Sequence, residues 1–216
     1  MNRDVCTMPK AEVTNNTCAS RWICGTAWVL VLVAGAASAD VIYVDDSTAG
    51  GAHDGTSWVD AFTDLHCALA IAQAGDEIRI AQGVYKPTGP GGPRDASFHL
   101  VNGVTLQGGY AGFGADDPDA LDWEKFATIL GGDLNGDDVI PMHGQFLNNG
   151  ENIYSVVIAD GVGPETSLRG LIVKGGNASA SDPPNRAGGG LRCINGASLH
   201  SPTARSSTTS PTTAAA

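Results

Sequence analysis

The sequence predicts an all-β chain built as a solenoid of stacked coils, with one short capping α-helix near the start. Two observations carry this. First, short apolar runs closed by glycine recur: Val104-Thr105-Leu106-Gln107-Gly108-Gly109, Thr128-Ile129-Leu130-Gly131-Gly132, and Leu168 to Asn177 with its Gly175-Gly176 pair. Ile78-Arg79-Ile80-Ala81-Gln82-Gly83 is a looser version. From Ile78 to Val104, Ile129 and Val156 the step is about 25 residues, a period within the range of solenoid repeats. A coil this thin cannot bury its apolar face alone and does so against its neighbour. Second, glycine supplies 29 of 216 residues, well above the average usage of ~7%. With only 6% aromatics, the core must be made of Val, Ile, Leu and Ala.

Residues 1–39 read as an export signal. Arg21 precedes an apolar run from Ala27 to Ala37, and Ala37-Ser38-Ala39 is a small-x-small cleavage site before Asp40. The segment ahead of the run is long, consistent with translation starting at Met8. The run is too short for a comfortable membrane span, so no transmembrane span is expected after signal removal. The mature chain is therefore expected to be exported, either secreted or on the outer cell surface.

Val41-Ile42-Tyr43-Val44 is β-rich and reads as the first strand. Trp58, Phe62, Leu65, Leu69 and Ala72 then recur at helical spacing. Thr63 is the expected N-cap, with Asp64 in the first turn and Gly75 as the residue past the C-terminus. Placed before the first coil, this helix would cover apolar stacking surface that a bare coil end exposes. Lys86 to Ala96 is Pro/Gly-rich and reads as a loop. Phe98-His99-Leu100 and Val104-Thr105-Leu106 read as strands meeting at Asn102-Gly103. Ala111 to Lys125 is an acidic excursion. Gln145-Phe146-Leu147 ends a polar loop, Tyr154 to Ala159 and Leu168 to Val173 read as strands, and Gly188 to Ile194 opens another coil.

The array from Ile42-Tyr43-Val44-Asp45 through Gly55-Thr56-Ser57-Trp58, Gly75-Asp76-Glu77-Ile78-Arg79-Ile80 and Gly83-Val84-Tyr85 resembles the opening of a right-handed parallel β-helix of the pectate-lyase-like superfamily. Gly108-Gly109-Tyr110-Ala111-Gly112, Asp122-Trp123 and Thr128-Ile129-Leu130 extend the likeness to one group within it. These are exported bacterial repeat proteins, some related to polymorphic outer-membrane repeat proteins. The resemblance covers residues 41–197, as the N-terminal part of such a domain. It implies the fold and export but no one activity, because the superfamily holds lyases, hydrolases, adhesins and inert scaffolds. From Ser198 to Ala216 the chain turns to Ser, Thr, Pro and Ala. Two readings are open: a natural disordered tail, or a frameshift that ended the solenoid early.

The formal charge is −11, and without residues 1–39 it is 9 cations against 21 anions. A field of that sign repels phosphate backbones, so no nucleic-acid partner is expected. Of five cysteines only Cys67 and Cys193 lie beyond the leader. Their spacing is no disulfide framework, and both are expected to be small buried residues.

Chemistry is sparse. In Gly132-Asp133-Leu134-Asn135-Gly136-Asp137-Asp138, the alternating Asp133, Asn135 and Asp137 place oxygens as the first half of a calcium loop does. Asp138 stands where that loop wants Gly, and Gly144 where it wants Glu. A solvated Asx-rich turn is the competing reading. A second acidic cluster comprises Asp116, Asp117, Asp119 and Asp122. By the resemblance, lyases of this fold hold calcium with clustered carboxylates beside an Arg or Lys base. Lys125, Arg169 and Lys174 are available for that role, but nothing in the sequence brings them to a carboxylate. His53, His99, His143 and His200 lack metal-spaced partners, and His66 is expected on the polar side of the helix. There is no Gly-x-Ser-x-Gly elbow, His-Glu-x-x-His or phosphate loop. The leading expectation is a non-catalytic surface or secreted scaffold whose partners are polysaccharide or cell-surface protein. The alternatives are a calcium-dependent polysaccharide lyase or glycoside hydrolase, and a non-functional truncated fragment.

Overall fold

The computed structural model describes residues 39–139, 147–179 and 188–200, with the backbone of 205–206. Residues 1–38 of the expected export signal (1–39) and most of the Ser/Thr/Pro segment lie outside the described residues. In chain order the elements are β1 (Val41–Val44), α1 (Leu65–Ile71), β2 (Glu77–Ala81), β3 (Gly83–Tyr85), β4 (Phe98–His99) and β5 (Thr105–Tyr110). They continue as β6 (Thr128–Gly131), β7 (Val157–Asp160), β8 (Ser167–Arg169), β9 (Leu171–Lys174), β10 (Leu191–Ile194) and β11 (Arg205–Ser206). The described chain is thus mostly strands with one helix.

The strands form three sheets. Sheet 1 has the order β1-β2-β5-β8, sheet 2 is β3-β6-β9-β11, and sheet 3 is β4-β7-β10. Pairing between these strands is parallel throughout. From β2 onward the chain passes through sheets 1, 2 and 3 in turn, three times over. It then touches sheet 1 through a parallel bridge from His200 to Ser167, and rejoins sheet 2 at β11. The first passage differs: between β1 and β2 the helix stands in place of strands. Leu65, Ala68 and Leu69 of α1 are buried in the main core cluster.

Register explains which residues face inward. Ile42, Ile78, Leu106 and Leu168 lie side by side across sheet 1, exposed by 6%, 0%, 0% and 1%. Tyr85, Leu130 and Val173 form the inward column of sheet 2. Phe98 and Val157 begin that of sheet 3. Because strand side chains alternate, the neighbours Tyr43, Arg79, Gln107 and Arg169 make the matching outward row on sheet 1.

Several expectations need correction. The step of about 25 residues is not the repeat. Leu106 lies 28 residues beyond its partner Ile78, and Leu168 lies 62 beyond Leu106. Ile129 sits on sheet 2 while Ile78 sits on sheet 1, so the apparent period joined positions from different sheets. The run from Leu168 to Val173 is not one strand. Gly170, at φ +58, turns the chain from β8 on sheet 1 to β9 on sheet 2. The helix is shorter than its apolar spacing implied. Asp64, not Thr63, is the N-cap and accepts the His66 N–H at 2.8 Å. The C-cap is Ala72, and Gly75 instead donates to Gly103 O at 2.9 Å. Phe62 forms a parallel bridge with Val44, and Trp58 packs with Tyr43 and Tyr110 at ring separations of 4.9 and 5.5 Å. Cys67 is only half-buried and Cys193 is exposed.

Two tyrosines give the fold a measurable pH limit. Burial, with Glu77 close by, pushes the Tyr110 hydroxyl up to about 12. Tyr85 is raised as well, first by burial and then by Asp46 and Asp45. Each folded-state value lies above the unfolded one, so the stability these groups provide is present below about pH 10 and is lost as pH climbs toward 12. An absorbance titration of the phenolates should show Tyr85 and Tyr110 ionising only together with loss of the β-type circular dichroism. Free titration of all four tyrosines in the folded chain would contradict their burial.

Candidate metal centre

The loop leaving β6 curls around one carboxylate. Asp133 Oδ1 accepts the Gly136 N–H at 2.5 Å and the Asp137 N–H at 3.3 Å, and Oδ2 accepts the Asp138 N–H at 3.1 Å. Asp side chains favour such local bonds, which fold the backbone back on itself. Leu134, 1% exposed, anchors the turn in the protein, and Lys86 Nζ donates to its carbonyl at 3.2 Å.

A second segment, 149–153, runs against this turn. Ile153 N–H donates to Gly132 O at 2.9 Å, and Asn177 donates through Nδ2 to Asn149 O at 2.7 Å. Arg94 Nε donates to Asn152 O at 2.6 Å, with its guanidinium 4.3 Å from the Tyr154 ring centre. These bonds hold Glu151 where its carboxylate meets those of Asp133 and Asp137. One oxygen from each of the three lies within 4.8 Å of the others. Calcium–oxygen bonds run 2.3–2.6 Å, so ligands on opposite sides of the ion stand about 4.6–5.2 Å apart. The spacing fits.

Asp138 and Asn152 form a second polar group joined to this turn. Asn152 is 0% exposed and donates through Nδ2 to Asp138 Oδ2 at 2.7 Å. Asn152 Oδ1, Asp138 Oδ1 and Glu151 Oε1 are buried without a hydrogen-bond partner among the described residues. Leaving a buried acceptor unpaired costs about 1–3 kcal/mol. Burial raises the Asp138 carboxyl above its usual range, with Asp133 and Asp137 adding to the rise, while Asn152 and Lys174 oppose it. A hard divalent cation is the chemistry such an oxygen-only set accepts.

Of the sequence-predicted residues, Asp133 and Asp137 come together, while Asn135 is exposed on the turn. Gly144 and His143 lie outside the described residues. Glu151 and Asn152 were not singled out, although Asn148-Asn149-Gly150-Glu151-Asn152 is a dense polar run just before Ile153. The second acidic cluster does not converge. Asp117 and Asp122 accept backbone N–H groups of their own turns. Asp119 accepts Trp58 Nε1 at 3.1 Å and Arg79 Nη1 at 3.2 Å, which fastens the excursion onto sheet 1. His66 is not on a free polar face: its ring packs 4.8 Å from Phe98, and Nε2 lies 3.0 Å from Pro87 O.

No family model matches the chain, and no curated protein or solved structure matches it. Among the described residues no helix is long and apolar enough to cross a membrane.

Proposed function

We propose that the chain is a right-handed parallel β-helix, exported to the cell surface or secreted, and that it serves as a non-catalytic scaffold for glycans or surface proteins. The supporting observation is the outward row of sheet 1. Tyr43, Arg79, Gln107 and Arg169 stand side by side on successive strands, about 4.7–4.9 Å apart. The Arg79 guanidinium lies 6.0 Å from the Tyr43 ring centre and 5.4 Å from that of Tyr110, and it is held by Glu77 at 2.9 Å. Arg169 is exposed. Tyr43, Arg79 and Gln107 are half-buried, with Arg79 also bonded to Asp119, so the contact a partner would make with this row centres on Arg169 and the exposed edges of its neighbours. The net charge of −11 favours neutral or cationic partners over polyanions.

Affinity electrophoresis of the full chain against neutral and acidic polysaccharides tests this. A bound neutral glycan should lose at least tenfold in affinity in the Gln107→Ala/Arg169→Ala double variant, with circular dichroism unchanged. Absence of glycan binding, together with absence of binding to the surface of the producing cell, would remove the scaffold reading.

A second reading, a calcium-dependent polysaccharide lyase or glycoside hydrolase, draws support from one observation. Lys174, exposed on β9, pairs with Gly131 of β6, two residues before Asp133. A cation beside an acidic oxygen cluster is the arrangement a lyase needs. Ultraviolet-absorbing unsaturated product from pectin-like substrates, abolished by Lys174→Ala, is its expected signature.

A further inference from the structure

The geometry points to a calcium site formed by Asp133, Asp137 and Glu151 that pins the turn after β6 to the segment before β7. This goes beyond the scaffold reading and holds whether or not the chain is catalytic. Three features agree. The three carboxylates come from two segments separated by residues 139–150, yet bring an oxygen each within 4.8 Å of the others. Three negative groups at that separation repel one another, and two positive charges among them reverse the balance. Second, Asn152 is fully buried, donates to Asp138 at 2.7 Å, and leaves its Oδ1 without a partner among the described residues. Asp138 in turn donates its backbone N–H to Asp133, so the Asn152 side chain is tied through Asp138 to the carboxylate around which the turn folds. Third, Glu151 Oε1 is itself buried without a partner. A buried carboxylate oxygen with no donor is unusual in a folded protein, and a cation supplies what is missing.

The segments are held from outside the cluster. Arg94 fixes Asn152 O, Asn177 fixes Asn149 O, and Gly132 O accepts from Ile153. Glu151 is therefore presented by a braced backbone. The oxygen set favours calcium over magnesium, because magnesium demands near-ideal octahedral geometry at 2.0–2.1 Å while calcium tolerates irregular oxygen cages. Extracellular calcium modules bind at about 0.1–1 mM, the affinity expected here.

Isothermal titration of the chelator-treated full chain with calcium chloride is the test, with thermal unfolding followed in parallel. One calcium should bind, with magnesium at least tenfold weaker, and calcium should raise the unfolding midpoint. Glu151→Gln and Asp137→Asn should each weaken binding at least tenfold and remove the calcium-dependent rise. Neither side chain braces the turn as Asp133 does, so both variants are expected to fold. Asp116→Asn, in the cluster that does not converge, should bind as the parent does. No heat and no midpoint change at 10 mM calcium would overturn the site, as would unaltered binding by both cluster variants. The polysaccharide assay is read separately, so loss of this site leaves the scaffold reading standing.

Discussion

Leu106→Ala is expected to destabilise the folded chain by about 2–5 kcal/mol. Leu106 is 0% exposed and stands in register between Ile78 and Leu168, each also buried to within 1%. Removing its branch leaves a void that neither neighbour can fill, because both are fixed by the parallel ladder on either side. For a domain of this size each kcal/mol shifts the midpoint by roughly 2–4 °C, so a fall of about 4–20 °C should be seen on thermal unfolding. Val84→Ala is the matched comparison. Val84 is 46% exposed on the outward face of β3, and its loss should change stability by no more than about 0.5 kcal/mol. Equal effects from the two substitutions would mean that sheet 1 does not face a core.

Gly176→Ala is expected to be comparably damaging for a different reason. A β-carbon at Gly176 would overlap the carbonyl oxygen and carbon of Gly189. The obstruction is backbone on the next passage of the chain, so no side chain can rotate away. Overpacking against fixed neighbours costs about 1–3 kcal/mol and occasionally more, and a backbone contact belongs at the upper end. Gly50→Ala is the control, because nothing lies within 4 Å of its β-position. That change should be neutral, or stabilising by up to about 1 kcal/mol through the unfolded chain. Urea unfolding of both variants decides the matter, and a fully stable Gly176→Ala would show that the two backbone passages are not in contact.

The strands themselves were legible, because Val, Ile and aromatic residues in short runs bounded by glycine mark strands wherever they lie. β1, β2, β4 and β6 fall where those runs stand. The coil length was not legible. Loops between strands vary so much that 28 residues separate one sheet 1 pair and 62 the next, and a sequence step cannot reveal which sheet a strand joins. The corner at Gly170 was hidden for a related reason: the inner faces of sheets 1 and 2 are both apolar, so polarity does not change as the chain turns. Trp58 and Phe62 imitated a helix by spacing alone, whereas their partners are Tyr43 and Val44. At the candidate metal centre the local half was readable, since Asp133 and Asp137 belong to one turn. Glu151 was not, because its approach depends on Arg94, Gly132 and Asn177 holding a distant segment in place.

The winding of the chain through three parallel sheets is tested most directly by a register-specific cross-link. In a chain whose five natural cysteines are serine, Val84→Cys with Ile129→Cys places two thiols on directly paired positions of β3 and β6. Paired parallel strands stand about 4.7–4.9 Å apart, within the span a disulfide bridges. Val84→Cys with Ile172→Cys places them two strands apart on the same outward stripe, about 9–10 Å and beyond reach. Mild oxidation followed by peptide mass mapping should give a near-complete 84–129 link and no 84–172 link. Failure of the 84–129 link, or equal yields from both pairs, would contradict the register and with it the three-sheet winding.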